Sequence, residues 1–141
     1  NIKSTNLNNI FIDDKINTSN IGNLLNKVNL NEYTLTNKYL SKKNTLNFKE
    51  LSITYNENNE IIKIFYRNIF ENNKLKINGK NNILYIKDVI NILGKEYKES
   101  WYDKTQRLRQ IIYKDKNNNL KAQFIFENST GKLVFVIFQI I

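Results

Sequence analysis

A chain of 141 residues with 22 basic and 13 acidic side chains, net charge +9, is one domain's worth and can bury a core of its own. It has no Cys and no His, which excludes thiol nucleophiles, disulfides, zinc sites built from the usual ligands and an imidazole general base. Asn, Lys and Ile account for 67 residues, with no Pro and only three Arg, a bias that A/T-rich codons produce.

In chain order, residues 1–10 are polar, Asn-rich and unpatterned, and predict a flexible lead. Thr18 or Ser19 can cap a helix whose apolar stripe is Ile21, Leu24, Leu25 and Val28, spaced i, i+3, i+4 and i+7. Residues 30–47 alternate weakly through Tyr33, Leu35, Tyr39, Leu40 and Leu46, which predicts one irregular strand and a loop at Lys42-Lys43-Asn44. Leu51, Ile53 and Tyr55 alternate with Ser52 and Thr54 as in a half-buried strand; residues 56–60 turn and residues 61–67 return. Asn81-Asn82 can cap a second helix carrying Ile86, Val89, Ile90 and Leu93, with Gly94 placed for a C-cap. A connecting loop holds Trp101 and Tyr102, and three strands follow over residues 108–114, 120–127 and 133–140. In the middle one Leu120, Ala122, Phe124 and Phe126 share a face opposite Lys121, Gln123 and Glu127. The last strand is apolar on both faces, as a central strand is.

Residues 12–28 read like residues 77–93 at an offset of 65, and residues 53–66 resemble residues 124–138. An internal repeat of this kind predicts an α+β fold of two units, residues 11–70 and 71–141, within one domain. Each unit would be a short helix followed by antiparallel strands, too small to bury much alone. The expected solution is one curved antiparallel sheet with the helices on one face and a concave face left open.

The run Ile86-Lys-Asp-Val89-Ile-Asn-Ile-Leu93-Gly94-Lys-Glu-Tyr97, followed by the strands at residues 120–126 and 133–138, carries a family resemblance. It resembles the tandem-repeat fold of the β-lactamase inhibitory protein and its exported relatives, and the small lipoproteins of outer-membrane assembly. The first unit departs from this pattern with Asn29 where the second has Gly94, and the disulfide-forming cysteines of the inhibitor are missing. The resemblance implies a binding scaffold, secreted or lipid-anchored; it does not imply inhibition of any β-lactamase.

Little catalytic chemistry is available. The acidic pairs Asp13/Asp14, Glu57/Glu60 and Glu96/Glu99 are the remaining general acid–base candidates, and all read as loop or solvated positions. The four glycines are isolated, so no phosphate loop exists, and residues 115–119 have too few carboxylates for Ca²⁺. No catalytic residue, metal site or cofactor is expected. Trp101, Tyr102, Tyr97, Arg107 and Arg109 are instead the candidate contact patch, because Trp, Tyr and Arg combine large contact area with polar handles. The competing reading makes Trp101 a plug at the end of the core.

The basic excess is +3 over residues 1–70 and +6 over residues 71–141, with Lys42-Lys43 the only basic pair, so codon bias accounts for much of it. The chain opens on Asn1 and contains no Met, which with the lack of Cys predicts a mature exported form. The functional expectation is a non-enzymatic, exported or lipid-anchored binding module of a low-G/C Gram-positive bacterium. It would bind a protein or an anionic envelope polymer through the sheet and its loops. The alternative is a cytoplasmic nucleic-acid- or partner-binding protein using the +9 charge; without an aromatic pair in an RNA-recognition pattern, nucleic acid is the less favoured partner.

Overall fold

The structure, a computed structural model, describes residues 2–36 and 43–141. Its strands are β1 (Ile10–Phe11), β2 (Thr45–Asn47), β3 (Leu51–Tyr55), β4 (Ile61–Arg67), β5 (Lys76–Ile77), β6 (Lys98–Asp103), β7 (Leu108–Asp115), β8 (Leu120–Glu127) and β9 (Leu133–Ile140). The helices are α1 (Ile69–Asn72) and α2 (Ile86–Leu93). Seven strands form one antiparallel sheet in the order β2-β3-β4-β9-β8-β7-β6, while β1 and β5 pair separately. The doubly apolar β9 is the middle strand of the seven, as its composition predicts. Its pairing with β4, Tyr66 opposite Val136 and Ile64 opposite Phe138, joins the two halves of the chain into one sheet.

The fold is therefore mainly β, which corrects the expected α+β plan of two helix-then-strand repeats. The first predicted helix does not form. Its stripe is broken into two 3-10 turns, Thr18–Asn20 and Leu25–Lys27. Gly22 sits between them at φ +94°, and Asn20, Asn23 and Asn26 are weak helix formers. The backbone groups find partners elsewhere: Gly22 N–H donates to the Ile61 carbonyl at 2.7 Å, Leu25 N–H to Asn59 at 2.8 Å, and Ile61 N–H to Asn23 at 2.9 Å. These bonds satisfy donors that an i−4 ladder would otherwise have used. Leu24, expected on the buried stripe, is 43% exposed.

The second helix does form, but Asn81-Asn82 does not cap it. Asp88 accepts the N–H groups of Leu84 (3.2 Å) and Tyr85 (2.9 Å), closing the first turn from within. Gly94 ends it at φ +90° and donates to Ile90 O at 2.8 Å. The predicted loop at Trp101 is instead the edge strand β6, paired with β7 from Lys98 opposite Ile112 to Asp103 opposite Leu108. Within the predicted stretch of residues 30–47, Thr45–Asn47 forms β2, and Tyr39, Leu40 and Lys42 lie outside the described residues.

The core lies on one face of the sheet. Leu51, Ile53, Ile64, Tyr66, Ile111, Tyr113, Ala122, Phe124, Val136 and Phe138 project there and meet Leu7, Ile10, Ile12, Ile16, Ile77 and Val89 from the covering segments. The N-terminal lead is thus anchored rather than free. Leu7 is fully buried, Thr5 N–H donates to Lys114 O at 2.8 Å, and Leu7 N–H donates to the Asp115 carboxylate at 2.8 Å. Burial alone would raise the Asp115 pKa. The bonds from Leu7 and from Asn118 outweigh it and hold the carboxyl below its ordinary value.

Candidate functional site

Side chains alternate along each strand, so the register assigns every residue of the second sheet face to a row running across the strands. One row reads Lys114, Lys121, Gln139, Lys63, Thr54 and Thr45, from β7 to β2. The next reads Lys98, Ile112, Gln123, Ile137, Phe65, Ser52 and Asn47. A third holds Ser100, Gln110, Ile125, Phe135 and Arg67, and Asp103, Leu108 and Glu127 lie beyond it. The face is therefore graded, cationic at one end and apolar with two carboxylates at the other.

An amide chain crosses it diagonally. Gln139 Nε2 donates to Gln123 Oε1 at 2.8 Å, Gln123 Nε2 to Gln110 Oε1 at 2.9 Å, and Gln110 Nε2 to Ser100 Oγ at 3.1 Å. This run of side-chain bonds spans four strands. Each half-buried glutamine interior to this chain spends one N–H and one oxygen lone pair and keeps a second of each.

The apolar end forms a small second cluster. Ile125 and Ile137, 0% and 5% exposed, lie with Leu108 among Phe65, Val134 and Phe135. Phe65 and Phe135 are 5.0 Å apart, and Tyr102 meets Phe135 edge-on at 5.4 Å. The Arg67 guanidinium lies 5.3 Å from the Phe65 ring centre, donates to Phe48 O at 2.7 Å and bonds Ser52 Oγ, which in turn donates to Asn47 at 2.6 Å. Arg67 is thus built into the sheet.

At the cationic end Lys98, Lys114, Lys116 and Lys121 line an open cleft of about 550 Å³ together with Ile2, Tyr97 and Ile112. Among the described residues, the ion pairs are Lys15–Glu32, Lys74–Glu50 (3.4 Å) and Arg109–Glu99 (2.9 Å), and none includes a lysine of this face. Lys114 and Lys121 stand directly opposite each other, an arrangement that costs stability unless an anion offsets it.

The five residues predicted as a contact patch do not form one surface. Trp101 and Arg109 are paired across β6 and β7 on the core side, with the guanidinium 4.7 Å from the Trp101 ring and Arg109 Nε donating to Glu99 at 2.9 Å. Trp101 is half-buried at the sheet edge. Tyr102, 40% exposed, follows Trp101 in β6 and so points to the opposite face, where it meets Phe135. Arg107 is exposed in the β6–β7 turn at φ +58°. Tyr97 packs on the core and meets Tyr113 edge-on at 5.6 Å.

The acidic pairs are dispersed. Asp13 accepts from Lys15 N–H (2.8 Å), Ile16 N–H (2.9 Å) and the Tyr33 hydroxyl, whose pKa is pushed up by burial and by that bond. Glu60 holds the Asn56 side chain at 3.0 Å and Glu99 holds Arg109. Among the described residues no cluster of three or more metal-ligating side chains occurs, and no helix is long and apolar enough to cross a membrane. Sequence reasoning placed Lys121 and Gln123 on the face opposite the core but missed Lys63, Lys98 and Lys114 as their neighbours, since only register brings them together. Comparisons with protein families, with curated proteins and with solved structures return no match.

Proposed function

We propose that this chain is a non-enzymatic binding module that receives an anionic partner across the cationic end of its second sheet face. The observation that carries this reading is the set Lys63, Lys98, Lys114 and Lys121, gathered from four strands with no carboxylate among the described residues paired to them. Like charges held side by side in a sheet raise the local potential and attract an anion of matching extent. Placement outside the cytoplasm and the scaffold resemblance belong to the same proposal; the Cys-free sequence and the residue 86–97 run support them.

The test is charge reversal at matched net charge. Lys114→Glu with Lys121→Glu is compared with Lys76→Glu and Lys80→Glu, which change the exposed β5 hairpin by the same amount. Retention on an immobilised polyanion is expected to collapse for the first pair and to fall slightly for the second. Equal losses would mean that only net charge matters and would sink the site.

A further inference from the structure

We infer that the anionic partner is a polyol phosphate chain, hydroxylated units joined by phosphodiesters, laid across the strands with phosphates on the lysine row and hydroxyls on the glutamine ladder. This deepens the anionic-partner reading and rests on it. Three features of the face support it.

The cations are distributed rather than focused. Lys114 and Lys121 are neighbours across β7 and β8, and Lys63 lies two strands beyond Lys121. At about 4.8 Å per strand the row extends roughly 15 Å perpendicular to the strands. A single small anion would engage one end of it, whereas a repeating anion can follow all of it. The cations of this end are lysines, compact point charges that suit phosphate oxygens; planar carboxylates favour the arginine fork, and Arg67, farther along the face, is already engaged with Phe48 and Ser52.

The row adjoins Gln139, and through it Gln123 and Gln110. Each amide inside the ladder offers one remaining donor and one remaining acceptor from the same group. A hydroxyl needs that pairing, because it donates and accepts at one oxygen. A carboxylate polymer without hydroxyls would use only the donors.

The aromatic end is unsuited to stacked bases. Phe65 lies against Arg67 and Phe135, and Tyr102 closes edge-on over Phe135, so the ring faces are engaged with one another. Asp103 and Glu127 close off that end to further phosphates. A polyanion is thereby confined to the cationic rows.

The experiment is titration calorimetry of the full chain with synthetic poly(glycerol phosphate) over a range of salt concentrations. Polyacrylate, which carries carboxylates and no hydrogen-bond donor, and oligothymidylate of equal charge are the other two probes. Poly(glycerol phosphate) is expected to bind about tenfold more tightly than polyacrylate, one added hydrogen bond being worth about that factor. Lys114→Gln with Lys121→Gln should lower the salt slope by about two. Gln139→Leu, which removes only the last member of the ladder, should weaken poly(glycerol phosphate) alone. Equal affinity for polyacrylate would overturn the inference and leave the anionic-partner reading standing. Tighter oligothymidylate binding would overturn it in favour of nucleic acid. Absence of binding by all three probes at low salt would overturn both.

Discussion

Asp115→Ala is expected to unfasten the N-terminal segment from the sheet. The carboxylate ends β7 at 1% exposure and accepts Leu7 N–H at 2.8 Å, the Asn118 side-chain amide at 2.8 Å and Asn118 N–H at 3.1 Å. Removing it leaves the buried Leu7 N–H without its acceptor, at a cost of about 1–3 kcal/mol, and loosens the β7–β8 turn by about 1 kcal/mol more. The total, roughly 2–4 kcal/mol, is a large share of a typical stability of about 5–15 kcal/mol. Urea unfolding followed through the lone Trp101 should show a lower midpoint at unchanged slope. The gap between the two proteins should depend on pH. The folded carboxyl has a pKa below its unfolded value of about 3.9, so its contribution is complete above that value and is lost as pH falls through the folded one. A loss under about 0.5 kcal/mol at neutral pH, or a gap that fails to narrow in acid, would refute the assigned role.

Two further substitutions test the scaffold and the placement of the site. Gly94→Ala should cost about 1–3 kcal/mol from backbone strain alone, since Gly94 holds φ +90° and ψ −168° and an added Cβ would meet nothing within 4 Å. Thermal unfolding without a measurable shift would show that the end of α2 relaxes freely. Trp101→Ala removes a cation–π contact with Arg109 worth about 0.5–1 kcal/mol. It lies on the face away from the lysine row, so circular dichroism should report a small stability loss while polyanion affinity stays unchanged. Lost affinity would move the binding surface to the β6 edge.

The parts of the fold legible in sequence are those whose pattern is strong within one element. Leu120, Ala122, Phe124 and Phe126 announce β8 and its core face, and all four are buried. Gly94 marks the end of α2 because glycine adopts its positive-φ conformation at little cost while other residues are strained there. The stripe Ile21, Leu24, Leu25 and Val28 has the correct spacing for a helix, but Gly22 and three Asn weaken it and the edge of the β3–β4 hairpin offers competing partners. Lys98–Asp103 shows no apolar alternation because β6 is an edge strand, so its pairing with β7 leaves no local mark. Trp101 and Tyr102 separate onto opposite faces once the segment is a strand, and the loop expected there hid that.

Residue identity and short-range spacing account for the lack of thiol and imidazole chemistry, the surplus of lysine, and the strands whose side chains alternate. Long-range strand pairing is what joins the two halves through β4 and β9, brings β6 into the sheet, and sets Lys114, Lys121 and Lys63 in one row with Gln139. The physical reason is the period of the strand. A shift of one residue in register turns every side chain to the other face, so no spacing within a strand can say which residues of distant strands will stand together.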